Sequence, residues 1–179
     1  MRIITGTARG VKLESLEGEA TRPTTDRVKE GMFSAIQFRL DSRRVLDLFC
    51  GSGQLSLEAL SRGASFAVMV DSERKATEIS KQNATKAKLL KQSRIVTLDY
   101  KEYISGCKEK FNLVFLDPPY SPGILDDVLK RILDKGLLED GALVVCESAE
   151  DGRPSDSGFA ESKVYKYGKT FVTILEYSE

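Results

Sequence analysis

From Val45 onward, short apolar runs alternate with longer stretches whose apolar residues recur at helical spacing, and nothing else in the chain limits its fold as much. The runs are Val45–Phe49, Phe66–Val70, Ile95–Leu98, Leu113–Leu116 and Leu143–Cys146. Between the first two, Gln54–Arg62 reads as a helix, with Gly63 just past its carboxyl cap, where a left-handed residue is favoured. Ser72 is placed to cap a second helix running to about Leu89, and Ile124–Leu133 has the spacing of a third. Strands that are apolar on both sides must be covered on both faces, so the pattern predicts a parallel sheet between helical layers. After the polar loop 149–158, Lys163–Tyr167 and Thr170–Tyr177 alternate about Gly168 and predict an antiparallel pair that finishes the sheet. The expected fold is α/β, five parallel strands plus a terminal hairpin. Ligands of such sheets sit beyond the carboxyl ends of the strands, near the point where strand order reverses.

Before Arg44 the pattern is irregular. Arg2–Thr5 and Val11–Glu14 are short strand candidates separated by Gly6-Thr-Ala-Arg-Gly10. Thr24 or Thr25 is a plausible N-cap for a helix with Val28, Met32, Phe33, Ile36 and Leu40 on one face. The 179 residues suit one domain with a full core, so residues 1–44 are expected to be an extension of a core formed by 45–179. No apolar run approaches the roughly 20 residues that span a bilayer, and MRIITGTARG has no signal-peptide apolar core. A cytoplasmic protein without membrane contact, monomeric by default, is expected.

Two counts restrict the chemistry. Histidine is absent, which removes Ser-His-Asp and Cys-His catalysis and imidazole-based metal sites. Cys50, Cys107 and Cys146 are widely spaced and never CxxC, so neither a disulfide framework nor a cysteine zinc site is supported and no metal is expected. Acid–base work must fall to carboxylates, lysine, tyrosine or backbone groups. The 27 basic and 27 acidic residues cancel, but residues 1–44 hold nine of the former and six of the latter, a small excess that could follow a phosphate backbone.

The first segment loaded with chemistry is Asp47-Leu-Phe-Cys-Gly51-Ser-Gly53, at the end of a strand and entering a helix. Glycines there let a ligand approach the backbone, and the helix N-terminus offers unpaired N–H groups. The next strand ends at Asp71, placed to accept hydrogen bonds from a ribose diol. A dinucleotide fingerprint would need a third glycine at Ser56, and it is missing. The third strand ends in Asp99 and the fourth in Asp117, so four strands in succession finish with a carboxylate on one edge. Any one of these could be a solvated acid, but like charges gathered on one rim are unfavourable unless a ligand uses them. Asp117 opens Asp117-Pro118-Pro119-Tyr120, in which two prolines fix φ and remove two N–H donors. The Asp117 carboxylate and Pro118 carbonyl form an acceptor-only pair beside the flat ring of Tyr120. Such a site suits a planar substrate that carries an –NH₂ group.

Taken in order, DLFCGSG, Asp71, Asp99 and DPPY resemble the S-adenosylmethionine-dependent methyltransferases that modify exocyclic amines. The flanking residues narrow the match. Met1–Gly6 with Arg9-Gly10, then Arg22-Pro23-Thr24-Thr25-Asp26-Arg27-Val28 with Glu30, Leu57–Ala64, and Tyr167-Gly168-Lys169-Thr170 are similar to the bacterial RsmD family of 16S rRNA guanine-N2 methyltransferases. The resemblance covers essentially the whole chain. It departs at Asp71, where glutamate is usual, at Cys50, where alanine is common, and at Ser56, where glycine is frequent. It implies a Rossmann-like class I fold with a mostly parallel seven-stranded sheet, a C-terminal antiparallel hairpin and a short N-terminal β/helix extension. It also implies S-adenosyl-L-methionine as cofactor and 16S rRNA, within the small ribosomal subunit or an assembly intermediate, as partner. By matched position, Asp47, Phe49 and the Gly51–Gly53 loop would hold the cofactor's methionine end, Asp71 its ribose and Asp99 its adenine amino group. Asp117, Pro118 and Tyr120 would take the target guanine, and Arg2, Arg9, Lys12, Arg22, Thr24 and Arg27 would meet the RNA. An adenine-N6 methyltransferase and a non-catalytic rRNA-binding assembly factor on the same fold are the rival readings.

Overall fold

A computed structural model of the chain describes residues 1–16 and 26–179. Seven strands form one sheet: β1 (Arg44–Asp47), β2 (Phe66–Asp71), β3 (Ser93–Thr97), β4 (Phe111–Leu116), β5 (Leu138–Ser148), β6 (Glu161–Tyr167) and β7 (Thr170–Glu176). Their order across the sheet is β3-β2-β1-β4-β5-β7-β6. The first five are mutually parallel, whereas β7 runs antiparallel to both β5 and β6. The hairpin therefore closes the sheet as expected, with its second strand inserted next to β5 and its turn at Gly168, φ +63°. Chain order reverses between β1 and β4, which fixes where a ligand cleft should open.

Helices α1 (Asp26–Ile36), α2 (Gln54–Ser61) and α3 (Arg74–Lys86) contribute to the core on one face of the sheet, and α4 (Tyr100–Gly106) and α5 (Ile124–Lys135) to the core on the other. Val28, Met32, Phe33, Ile36 and Leu40 are all buried, so the stripe read from the sequence is the packed face of α1 and of the short 3₁₀ turn after it. Gly63 stands past the end of α2 at φ +111°, a conformation that residues with a Cβ avoid. The proposed cap at Thr24 or Thr25 lies outside the described residues.

Four expectations need correction. Arg2–Thr5 and Val11–Glu14 are not strands; a single antiparallel bridge, Arg2 to Lys12, joins them. With no third partner, so short a pair has nothing to extend it. The N-cap of α3 is Glu73 rather than Ser72, because Asp71 Oδ1 accepts from the Glu73 amide at 2.9 Å and sets the turn one residue later. β1 stops at Asp47, which releases Leu48 and Phe49 into the loop that follows. Finally, α4 was not foreseen at all. Asp99 is its N-cap and accepts from the Lys101 amide at 2.8 Å, with Glu102 in the first turn.

The N-terminal segment is fastened to α2 by a fully buried carboxylate. Glu58 accepts from the amides of Ile4 at 2.8 Å and Thr5 at 3.0 Å and from Arg62 Nε at 2.8 Å. Lys29 Nζ lies 3.6 Å from Glu58 Oε2 and donates to the Arg2 carbonyl at 2.6 Å, with both side chains of this ion pair at 0% exposure. Burial lowers the Lys29 pKa, while the Glu58 charge opposes that shift. Ser61 completes the fastening: its hydroxyl accepts from the Ala8 amide and donates to the Thr5 carbonyl. Gly6 runs so close that a Cβ there would stand 1.8 Å from the Ser61 carbonyl oxygen. No described helix is long and apolar enough to cross a membrane.

Candidate active site

A cavity of about 740 Å³ opens at the carboxyl ends of β1, β2, β3 and β4, over the point where strand order reverses. Phe49 and Gly51 enter it from the loop after β1, Asp71 from β2, Asp99 from the turn after β3, and Asp117, Pro118 and Tyr120 from the turn after β4. Seven of the residues singled out in the sequence thus share one cleft. Met1, Ser15 and Leu16 border it from the N-terminal segment.

The loop after β1 is shaped by its glycines in two different ways. Gly51 has φ +53°, and a Cβ on it would meet nothing within 4 Å, so it leaves open space on the cleft side. Gly53 is the N-cap of α2 at φ +81°, and a Cβ there would meet Ser80 Oγ at 3.0 Å and Met69 Sδ at 3.1 Å. Gly53 therefore serves close packing behind the loop and does not line the cavity. Helix α3 supports the same loop: Ser80 Oγ donates to the Gly51 carbonyl at 2.7 Å, and Asn83 Nδ2 donates to the Ser52 carbonyl at 2.9 Å. Asn83 also exchanges hydrogen bonds with the backbone of Glu14, donating at 3.0 Å and accepting at 2.8 Å.

Asp47 is likewise behind the loop, 1% exposed and outside the cavity lining. Its Oδ2 accepts from Ser56 Oγ at 2.9 Å, while Oδ1 is buried with no hydrogen-bond partner among the described residues. Burial pushes its pKa up to about 7; the nearby Asp71 charge adds to the rise and the Ser56 bond opposes it. Ser56, noted only as a missing glycine, is thus the one side chain that satisfies this acid. Asp71 is a stitch as well as a rim carboxylate, since its Oδ2 accepts from the Gly51 amide at 2.9 Å.

Tyr100 was missed by sequence reasoning. Its ring centroid lies 5.3 Å from that of Phe49 at a tilt of 50°, and its hydroxyl donates to Asp127 Oδ2 at 2.8 Å. Burial, with the Asp127 bond behind it, raises its pKa to about 12, so it is a neutral donor and an apolar wall. The signal for it was the Asp99-Tyr-Lys-Glu102 cap, too short a helix to show an apolar period. Pro118 is buried, whereas the Tyr120 ring is 51% exposed at the mouth. Among the basic residues, Arg2, Arg9, Lys12 and Arg27 are exposed, and Arg22 and Thr24 lie outside the described residues.

Chemically, the cleft joins an acid rim, a stripped loop at a helix N-terminus, two aromatic walls and a stiff turn of acceptors. The profile of the family described as conserved hypothetical protein 95 matches residues 1–176. The chain is 38% identical over 181 residues to the protein YlbH of Bacillus subtilis strain 168, with 98% of each chain covered. It is 37% identical over 158 residues to the ribosomal RNA small subunit methyltransferase D of Escherichia coli K12, covering 87% of this chain and 78% of that one. The solved structure of yhhF from Escherichia coli superposes with a TM-score of 0.90 at 30% identity, over 100% of this chain and 98% of the other.

Proposed function

The chain belongs to the conserved hypothetical protein 95 family, the RsmD family, and on that premise we propose that it is an S-adenosylmethionine-dependent rRNA methyltransferase acting on the exocyclic N2 of a guanine in small-subunit rRNA. The observation that carries this reading is the position of Asp117-Pro118-Pro119-Tyr120: an acceptor-only turn that opens onto the same cleft as the glycine loop and the acid rim. The residues present fit the cofactor. A ligand rich in N–H and O–H donors with positive charge suits a rim of carboxylates, and Gly51 leaves room where any side chain would project.

When bound, the cofactor supplies an electrophilic methyl group, so neither histidine nor metal is required for activation. Asp71 accepts from the ribose hydroxyls and Asp99 from the adenine amino group, with the Phe49 and Tyr100 rings as a wall. The buried Asp47 holds the start of α2 through Ser56 and adds negative potential beneath the methionine end. Tyr120 stacks on the target base. The Asp117 carboxylate and the Pro118 carbonyl accept the two N2 protons, which localises a lone pair otherwise drawn into the ring and stabilises the positive charge that develops on nitrogen. After transfer the surplus proton leaves to Asp117 or to water. A base must be unstacked to reach such a turn, so a loop guanine costs less than a paired one. Exposed Arg2, Arg9, Lys12 and Arg27 supply phosphate contacts that position the RNA, together with Arg22 and Thr24.

The test is to incubate the protein and S-adenosylmethionine with undermethylated small-subunit rRNA, free and as assembled particles, and digest the product for mass spectrometry. N2-methylguanosine is expected. N6-methyladenosine in its place would overturn the base assignment, and no methylated nucleoside in either substrate would overturn the enzymatic reading.

A further inference from the structure

A second, smaller cavity of about 80 Å³ lies against the first, and the two share Pro118, Pro119, Tyr120 and Ile124 as a common wall. Its far side is the end of β5, where Glu147 and Ser148 are each 3% exposed. The Ser148 hydroxyl oxygen is buried with no hydrogen-bond partner among the described residues. A buried, unspent polar atom beside a void is where a polar ligand is expected to settle. The pairing of β4 with β5 sets Phe115 beside Val145 and Leu116 beside Cys146. One step further aligns Asp117 with Glu147, and Phe115 and Val145 belong to the same packed face. Because side chains alternate with a period of two, Asp117 and Glu147 continue that face on strands about 4.8 Å apart.

Guanine presents three neighbouring donors on its Watson–Crick edge, N1–H and the two N2 hydrogens. The Asp117 carboxylate and Pro118 carbonyl account for two of them and leave N1–H without an acceptor. We infer that this second cavity is the recognition pocket for the target base and that the Glu147 carboxylate accepts guanine N1–H. The inference rests on the guanine reading above. It also gives the site a means of rejecting adenine, whose N1 is an acceptor and would face a carboxylate with no proton between them. A buried carboxylate beside a half-buried one, costly in an empty protein, becomes part of a matched set when three donors enter.

A base that keeps the N2 amine but lacks the N1 proton separates recognition from reactivity. The experiment is single-turnover methyl transfer to small-subunit rRNA carrying either guanine or 2-aminopurine at the modified position, with wild type, Glu147→Gln and Glu147→Asp. Wild type should prefer guanine by roughly 1000-fold, the scale of discrimination by a site built to bond one hydrogen. Glu147→Gln, whose amide donates as well as accepts, should narrow that preference to about 10-fold, and Glu147→Asp should keep most of it. A loss of stability lowers both rates together, so a Gln variant that is slower on both bases with the preference unchanged overturns the inference, as does a wild type that uses the two bases equally. Transfer by wild type to adenine instead of guanine would defeat the base assignment itself, and this inference with it.

Discussion

Glu58 and Asp47 are both buried carboxylates on neighbouring elements, and they stand at opposite extremes of satisfaction. Glu58 accepts from two backbone amides and Arg62 and has Lys29 beside it. Asp47 has the Ser56 hydroxyl and an oxygen with no partner among the described residues. The first is a fastening for the N-terminal segment and contributes nothing to the cleft. The second sits under the cleft with its charge poorly compensated. Burial alone therefore says little about the role of an acid; the count of its bonds says more.

The sharpest way to break this contrast is Glu58→Ala. It leaves Lys29 buried without its partner charge and strips the Ile4 and Thr5 amides of their acceptor, so a loss of about 3–5 kcal/mol is expected. Urea unfolding measures it. A loss below about 1 kcal/mol would mean that the fastening is redundant. Asp117→Ala should act the other way, leaving stability nearly intact while removing an acceptor that matters most in the transition state. A rate loss of ~100- to 1000-fold, about 3–4 kcal/mol, is expected in single-turnover transfer, with cofactor affinity in a titration hardly changed.

The Asp47 carboxyl supplies a pH signature. Its folded pKa, pushed up to about 7, lies above the ordinary value of 3.8 that it regains on unfolding. The folded state therefore holds a proton that the unfolded state gives up. The stability it contributes is whole below about pH 4, declines between about pH 4 and pH 7, and is gone above that, a change of the order of 3 kcal/mol. Asp47→Asn should flatten this part of the profile, read as the difference between wild-type and variant unfolding free energies at pH 5 and pH 8. The same slope in both proteins would assign it to other groups. The smallest effect is expected at the fastened segment's surface. Replacing Arg2, Arg9 and Lys12 singly should reduce the salt dependence of RNA binding by about one unit for each phosphate that is no longer neutralised, without altering cofactor affinity. Variants that bind RNA normally would leave the segment as a cover only.

The parallel strands, α1, α2, α5 and the hairpin were legible because each carries a period or a stop signal of its own. The rim acids and the acceptor turn were legible for a related reason: they occupy strand ends, and strand ends share an edge. What stayed hidden depended on partners far away in sequence. Lys29 reads as one more charge on a helix until Glu58 lies opposite. Ser56 reads as an absent glycine until Asp47 stands behind it. The helix α4 hid because its signal is a cap and not a stripe, and Tyr100 was hidden with it. The N-terminal strand candidates had the right composition but no neighbour to pair with beyond each other.

Asn83 carries a mechanical consequence. Both segments that its side chain holds, the backbone at Glu14 and the loop carbonyl of Ser52, draw on one amide group that is itself fully buried. Moving either segment away breaks bonds that water cannot readily replace at that depth, at a cost of about 1–3 kcal/mol for each polar group left stranded. The chain's first residues and the loop after β1 are thus pinned by a common peg. In hydrogen exchange they belong to one opening unit, so an occupant that quiets the loop slows the Glu14 amide as well.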